Sequence, residues 1–185
     1  GTLTLDASSK SLSEYDFDLA LKDGGANLTL TGDYTAKENT ADLNMELDIQ
    51  KLEATIIQGL SNNQLTDGKG YLDGSLLVNG SLAEPKYSGR INFNDFSLTL
   101  AAYKSSFAIN DEYIDIDQDE ITFNSFAIND INQGILTVDG SITTKSFANP
   151  DFDLSVKTDQ FRVLDSKKGD DELVYGIASI LADLT

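Results

Sequence analysis

Asp67-Gly-Lys-Gly-Tyr-Leu-Asp-Gly-Ser-Leu-Leu-Val-Asn-Gly-Ser-Leu-Ala-Glu-Pro-Lys-Tyr-Ser-Gly-Arg-Ile-Asn-Phe-Asn-Asp-Phe96 is the stretch whose reading decides the fold. Glycines stand at 68, 70, 74, 80 and 89, and between them apolar and polar residues alternate. Leu76, Val78 and Leu82 share one parity, and after a turn expected at Pro85 the alternation resumes with Ile91 and Phe93 on the other side of Gly89. A period of two with glycine punctuation reads as strand, tight turn, strand. No side chain in the stretch is suited to catalysis.

The same pattern extends outward on both sides. Thr2 to Asp6 alternates, as do Tyr15 to Leu21 and Asn27 to Tyr34, and Lys22-Asp-Gly-Gly25 between the last two reads as a hairpin turn. Ala36 to Thr40 is a polar connection. Asp42-Leu-Asn-Met-Glu-Leu-Asp-Ile49 is the cleanest alternation, with Leu43, Met45, Leu47 and Ile49 on one side. Leu52, Ile56, Ile57 and Leu60 then follow helical spacing, with Glu53 placed in the first turn, so one short helix is expected near residues 52–61. Its expected part is to plug an open side of the sheet.

Downstream, Phe107-Ala-Ile-Asn-Asp111 recurs letter for letter as Phe126-Ala-Ile-Asn-Asp130, around Tyr113 to Asp117 and Ile121 to Phe123. Gly134-Ile-Leu-Thr-Val-Asp-Gly-Ser-Ile142 echoes Ser75 to Leu82, and Pro150 to Val156 echoes Tyr15 to Leu21. Phe161-Arg-Val-Leu164 reads as a last short strand before a loop over 165–169. Residues 173–184 fit helical and strand periods equally. Such recurrence points to an elongated repeat architecture.

A chain of 185 residues suits a single domain, and its 31 acids against 13 bases give a formal charge of −18. That charge argues against nucleic acid and against direct attachment to an anionic membrane surface. With no cysteine and no histidine, disulfides, thiol catalysis and histidine-dependent triads are excluded. No apolar run approaches the roughly 20 residues of a spanning helix. Alternation from the first residues makes the chain read as a piece of a longer protein, cut inside its pattern.

Amphipathic strands with one short helix must bury their dry face against something. A sandwich, a closed barrel, and one long sheet curled into a U are the options, and the repeats favour the last two. If the walls meet, side chains fill the interior. If they stay apart, the lining is a groove for an apolar ligand, lipid first, at about 0.8 kcal/mol per buried CH₂. Parity nominates the lining: Leu76 and Val78, Ile91 and Phe93, Ile121 and Phe123, Leu136 and Val138, then Phe152, Leu154 and Val156. The plain alternative for each is ordinary core.

The acidic run Asp111-Glu112, Asp115, Asp117, Asp119-Glu120 invites a calcium reading. An EF-hand needs glycine at its sixth position and glutamate at its twelfth, where this chain has Ile116 and Thr122. A solvated strand face is the better account. Carboxylate pairs for glycoside hydrolysis lack a recognisable sugar cleft, and Gly68-Lys-Gly70 lacks phosphate-loop spacing. No nucleophile and base can be paired, so neither enzyme activity nor a cofactor nor a metal is expected.

The order of elements from residue 52 on resembles the C-terminal domain of the TamB family, within the AsmA-like superfamily. The residues that carry it are Gly70, Leu72, Gly74, Ser75, Leu76, Val78, Gly80, Ser81, Leu82, Pro85, Gly89 and Ile91, then the block from Gly134 to Leu164. The resemblance covers roughly residues 25–184. It implies an elongated, taco-like sheet with an apolar inner surface. It implies a periplasmic segment of a diderm bacterium, in a parent anchored in the inner membrane. The implied role is outer-membrane protein assembly and translocation together with phospholipid transport between the membranes. The implied partners are phospholipid acyl chains and an outer-membrane barrel of the TamA or BamA type, met through parts of the parent outside this chain. Two other readings stay open: a chaperone-like β-scaffold that pairs with client strands, and an acidic extracellular β-repeat adhesin.

Overall fold

The computed structural model describes residues 1–144, 150–166 and 176–184, with the side chains of 159, 163–166 and 176–184 left undescribed. Twelve strands form one antiparallel sheet. They are β1 (Thr2–Ser9), β2 (Glu14–Asp23), β3 (Ala26–Ala36), β4 (Ala41–Glu53), β5 (Leu65–Ser81), β6 (Glu84–Leu100), β7 (Ser105–Ile109), β8 (Glu112–Gln118), β9 (Glu120–Asp130), β10 (Ile135–Thr143), β11 (Asp151–Ser166) and β12 (Gly176–Leu184). One helix, α1 (Ala54–Leu60), joins β4 to β5. Each strand lies beside its sequence neighbour, with one exception. β7 and β8 both lie between β6 and β9, end to end, and together fill a single position in the sheet.

Alternation sets the register. Residues directly opposite one another share a face, so the ladder pairs trace rows across the sheet. One row runs Leu5, Leu19, Leu30, Leu47, Leu76, Gly89, Ile116, Ile121, Ile142, Phe152. A second runs Leu3, Leu21, Leu28, Ile49, Gly74, Ile91, Ile114. The opposite face carries rows such as Asp6, Asp18, Thr31, Glu46. One face is dry and the other acidic along the chain, and a one-residue slip anywhere would exchange them.

Such slips occur where the chain compensates for them. β6 reads Ile91-x-Phe93-Asn-Asp-Phe96-x-Leu98 and β9 reads Ile121-x-Phe123-Asn-Ser-Phe126-x-Ile128. In each, one extra residue is inserted between two apolar pairs. Asp95 (φ 45°) and Ser125 (φ 50°) take a left-handed backbone there, as does Asp111 (φ 54°) in the gap between β7 and β8. Asp67 (φ 54°) does the same in β5, where the register with β6 shifts. A bulge of this kind bends the strand and returns the next apolar residue to the same face. Asp and Asn tolerate this conformation better than most residues. The bulges lie beside one another from β5 to β9, so the sheet bends along a line.

Glycine supplies a second bend. Gly74 (φ 144°) faces Ile91, and Gly89 (φ 150°) faces Leu76 on the next strand. A Cβ at Gly74 would run into the Arg90 carbonyl oxygen, and one at Gly89 into that of Ser75. The β5–β6 pair therefore packs closer here than any side chain would permit.

Several local expectations are corrected. The turn before β6 falls at Leu82 and Ala83, and Pro85 already lies in the strand opposite Gly80. Pro85 lies beyond the last pair that β6 makes with β8, so its missing N–H breaks no ladder there. The helix begins two residues later than expected, because Leu52 stays in β4 and pairs with Ala26 and Leu72. Glu53 precedes the helix and holds Lys51 at 2.6 Å, a bond that, with the Lys51 charge, lowers its pKa. Leu60 is 79 % exposed rather than packed. Phe161 to Leu164 is no separate strand but continues β11, which runs unbroken from Asp151 to Ser166. Of the ambiguous segment, 176–184 is strand, and 173–175 lie outside the described residues, as do 167–169 of the expected loop. Mainly β architecture in one curled, open sheet with one short helix agrees with the sequence reading. Among the described residues no helix is long and apolar enough to cross a membrane.

Candidate functional site: an apolar trough

The dry face is covered unevenly. Across β1, β2 and β3 it is an open wall: Leu3 is 66 % exposed and Leu5 63 %, and Phe17, Leu19, Leu21, Leu28 and Leu30 are half-buried. At β4 the wall deepens, with Leu43 and Ile49 buried. α1 closes the end beside β5. Ala54 is fully buried, Gln58 Oε1 accepts the Gly68 N–H at 2.8 Å, and Ser61 Oγ donates to the Gln58 carbonyl at 2.7 Å.

From β6 to β11 the face folds onto itself. Phe107 of β7 stacks on Phe161 of β11 at 5.5 Å between ring centroids and 6° between planes. β9 and β10 lie between those strands, which would stand about 14 Å apart in a flat sheet. Closure of that distance is the direct measure of the curl. Phe126 meets Phe93 at 5.3 Å and Phe123 at 5.6 Å, both edge to face, and Phe93 meets Phe96 at 5.5 Å. Phe96, Phe126 and Phe161 are all buried. Edge-to-face pairs contribute about 0.5–1.5 kcal/mol each beyond their buried area.

A buried carboxylate fastens this corner. Asp130 ends β9 and accepts three backbone N–H bonds: from Asn132 at 2.7 Å, Gly134 at 2.8 Å and Arg162 at 2.5 Å. The last ties β9 directly to β11. Burial pushes the Asp130 carboxyl up, and the N–H groups of Arg162, Gly134 and Asn132, with the Arg162 charge, outweigh it, so its pKa lies below the ordinary value. Thr158 Oγ1, also buried, donates to the Ile135 carbonyl at 2.8 Å.

The outer face is polar and cross-linked. Arg90 holds Asp115 through Nε at 2.6 Å and Nη2 at 3.0 Å and lies 3.9 Å over the Tyr113 ring. Asn92 and Asn94 both donate to the Asp73 carboxylate, at 2.6 and 2.8 Å. Of the acidic run weighed for calcium, Asp115 is thus engaged by arginine, and Glu112 sits opposite Phe93 on the dry face.

Every residue nominated for the lining falls on the dry face. Leu76 and Val78 stand opposite Leu47 and Met45, and Ile91 and Phe93 opposite Gly74 and Leu72. Ile121 faces Ile142, Phe123 faces Gly140, and Val138 faces both Phe126 and Val156. Leu136 faces Ile128 and Thr158, and Leu154 faces Gly140. Only Ile91 among them is buried, while Phe152 is 64 % exposed at the rim and the others are half-buried. Reading by parity missed Phe96 and Phe126, which close the centre, and Phe107 and Phe161, which close the corner. The phase change at Asn94-Asp95 and Asn124-Ser125 was the signal for the first two. No local pattern announces the Phe107–Phe161 contact. The open wall of β2 and β3 was legible in its alternation but was not nominated.

Comparison with known proteins bears on the part of the chain that contains this corner. The family model of the TamB C-terminal domain matches residues 124–184, from the β9 bulge to the end of β12. No curated protein and no solved structure matches the chain. The family belongs to the cell envelope, where its part is outer-membrane assembly and transport. Over residues 124–184, then, the chain is similar to the TamB C-terminal domain.

Proposed function

We propose that this chain is a non-enzymatic segment of an envelope-biogenesis protein whose trough holds hydrocarbon chains, with phospholipid acyl chains as the occupant. The observation that carries the reading is the transverse row from Leu5 to Phe152: ten residues on ten strands, all apolar but for Gly89, with no polar side chain interrupting it. A row that only built a core would be covered along its length. This one is exposed at both ends, at Leu5 and Phe152. The acidic outer face opposes adsorption to an anionic membrane, so lipid is handled inside the trough. On this reading the parent is anchored in the inner membrane and crosses the periplasm of a diderm bacterium. A barrel of the TamA or BamA type is met by parts of the parent outside this chain.

The test is loading of a fluorescent phospholipid from phosphatidylethanolamine–phosphatidylglycerol vesicles, read after re-isolation of the protein and by native mass spectrometry. The unaltered chain carries lipid. Leu5→Asp with Leu19→Asp, at the exposed end of the row, reduces loading while the thermal midpoint stays close to that of the parent sequence. Absence of lipid from the unaltered chain overturns the reading.

A second reading, a scaffold that pairs with client strands, is favoured by β1. All eight of its residues are exposed, and within the described residues it pairs only with β2. Charges on the trough face spare that activity, and proline in β1 removes it.

A further inference from the structure

The ladder between β9 and the divided strand β7–β8 is interrupted in its middle. Phe107 and Ala108 pair with Asp130 and Asn129, and Asp115 to Asp117 pair with Thr122 to Glu120. Both sets keep one register, so residues 109–114 run alongside 123–128, yet no ladder pair joins them. On the other flank β6 keeps its pairs up to Ile109 and again from Glu112. The sheet therefore has a one-sided seam, about 20 Å long at the usual rise per residue. Each lip carries a left-handed residue, Asp111 (φ 54°) and Ser125 (φ 50°), which turns the peptide groups out of ladder alignment. The Ser125 N–H goes to the Asp139 carboxylate at 2.7 Å, so this lip is satisfied by β10 and not by the strand across the seam. On the dry face the seam is covered by aromatic rings. Phe126, 4 % exposed, reaches past the divided strand to Phe93 of β6.

We propose that this seam is a lateral port in the wall of the trough, closed by Phe126, through which a single hydrocarbon chain passes between the exterior and the apolar face. An intact antiparallel ladder parts only by breaking a run of hydrogen bonds. Here the strands part by rotating rings and flexing two bulges, while the pairs at both ends hold the lips in register. The seam's length matches one extended acyl chain, and on the dry side it runs beneath the Phe93 and Phe126 rings, with Glu112 as the one carboxylate beside Phe93. The proposal rests on the reading that the trough holds hydrocarbon chains, and its test separates the two.

Hydrogen exchange of the lipid-free chain comes first. Within residues 109–114 and 123–128, the amides that face across the seam exchange at least an order of magnitude faster than those of β4 and β5. The second arm is the rate at which a pyrene-labelled fatty acid transfers from the same vesicles. Phe126→Ala speeds transfer by an order of magnitude, several times more than Phe161→Ala, an equally buried ring that closes the corner and not the seam. Phe126→Leu, which keeps most of the volume, gives an intermediate rate and serves if the alanine variant does not fold. Seam amides as slow as those of β4 and β5, or equal rates in the Phe126 and Phe161 variants, overturn the port. No loading of the unaltered chain overturns the trough reading itself, and passage of a chain through the port with it.

Discussion

β2 and β3 and the corner of β7, β9 and β11 are written in the same alternating residues, and their apolar faces end in opposite states. In β2 and β3 the ladder runs from Glu14↔Thr35 to Asp23↔Ala26 without a slip. Straight strands give a wall, and a wall has nothing above it. In the corner β9 slips phase once against β10 and β11 twice against β12, and Phe107 of the short strand β7 lies on Phe161 of β11 further along the sheet. The two copies of Phe-Ala-Ile-Asn-Asp show the difference at one residue. They run antiparallel side by side, Phe107 opposite Asp130. Asp130 is buried and collects backbone N–H groups, while Asp111 is exposed in a left-handed turn. Identical pentapeptides take opposite roles because one stands where a third strand arrives and the other where a ladder breaks.

Substitutions can break this comparison, beginning with the largest effect. Phe126→Ala removes a ring buried against Phe93 and Phe123 and is expected to cost about 3–5 kcal/mol by urea denaturation. Leu5→Ala on the open wall is expected to stay within about 0.5 kcal/mol. Equal losses would mean that the wall is covered in solution.

Asp130→Ala leaves three backbone donors without their acceptor and is expected to cost about 3 kcal/mol, whereas Asp111→Asn in the other copy is near neutral. pH sharpens the same contrast. The folded pKa of Asp130 lies below its ordinary value of 3.8, so its contribution is full above that value and is lost as pH falls through the folded pKa. Acid denaturation of Asp130→Asn should therefore be shallower below pH 3.8 than that of the parent sequence, and overlapping curves would remove the carboxylate from the account.

Gly89→Ala forces a side chain into left-handed backbone against the Ser75 carbonyl and is expected to lower stability by about 1–3 kcal/mol. Gly24→Ala, in open space at the β2–β3 turn, should be milder, and thermal melts of the two compare a bend in the wall with a turn at its edge. The smallest stability effect is expected from Leu3→Ser with Leu5→Ser, within about 0.5 kcal/mol, with a clear fall in lipid loading.

Much of the fold was legible because a strand's period is local. Leu43, Met45, Leu47 and Ile49 declare a dry side without reference to any partner, and Asp23-Gly24 declares the hairpin that sets the register of β2 on β3. The glycines at 74 and 89 read as turn punctuation, but they lie inside β5 and β6, where each lets the partner backbone come close. Lining residues read by parity all proved to share a face, since register preserves parity wherever no bulge intervenes. Phe96 and Phe126 escaped because a bulge restores their face only when its left-handed residue is in place, and a strict alternation count puts them outside.

By itself, then, the sequence determined most of the strands and the division into dry and acidic faces, because each follows from neighbours one or two residues apart. Only the tertiary structure decided where the dry face is shut and where it stays open. Phe107 meets Phe161 and Asp130 meets Arg162 across tens of residues, through the summed bend of several strands. No single strand carries that sum, so the trough's shape emerges only when the sheet is assembled.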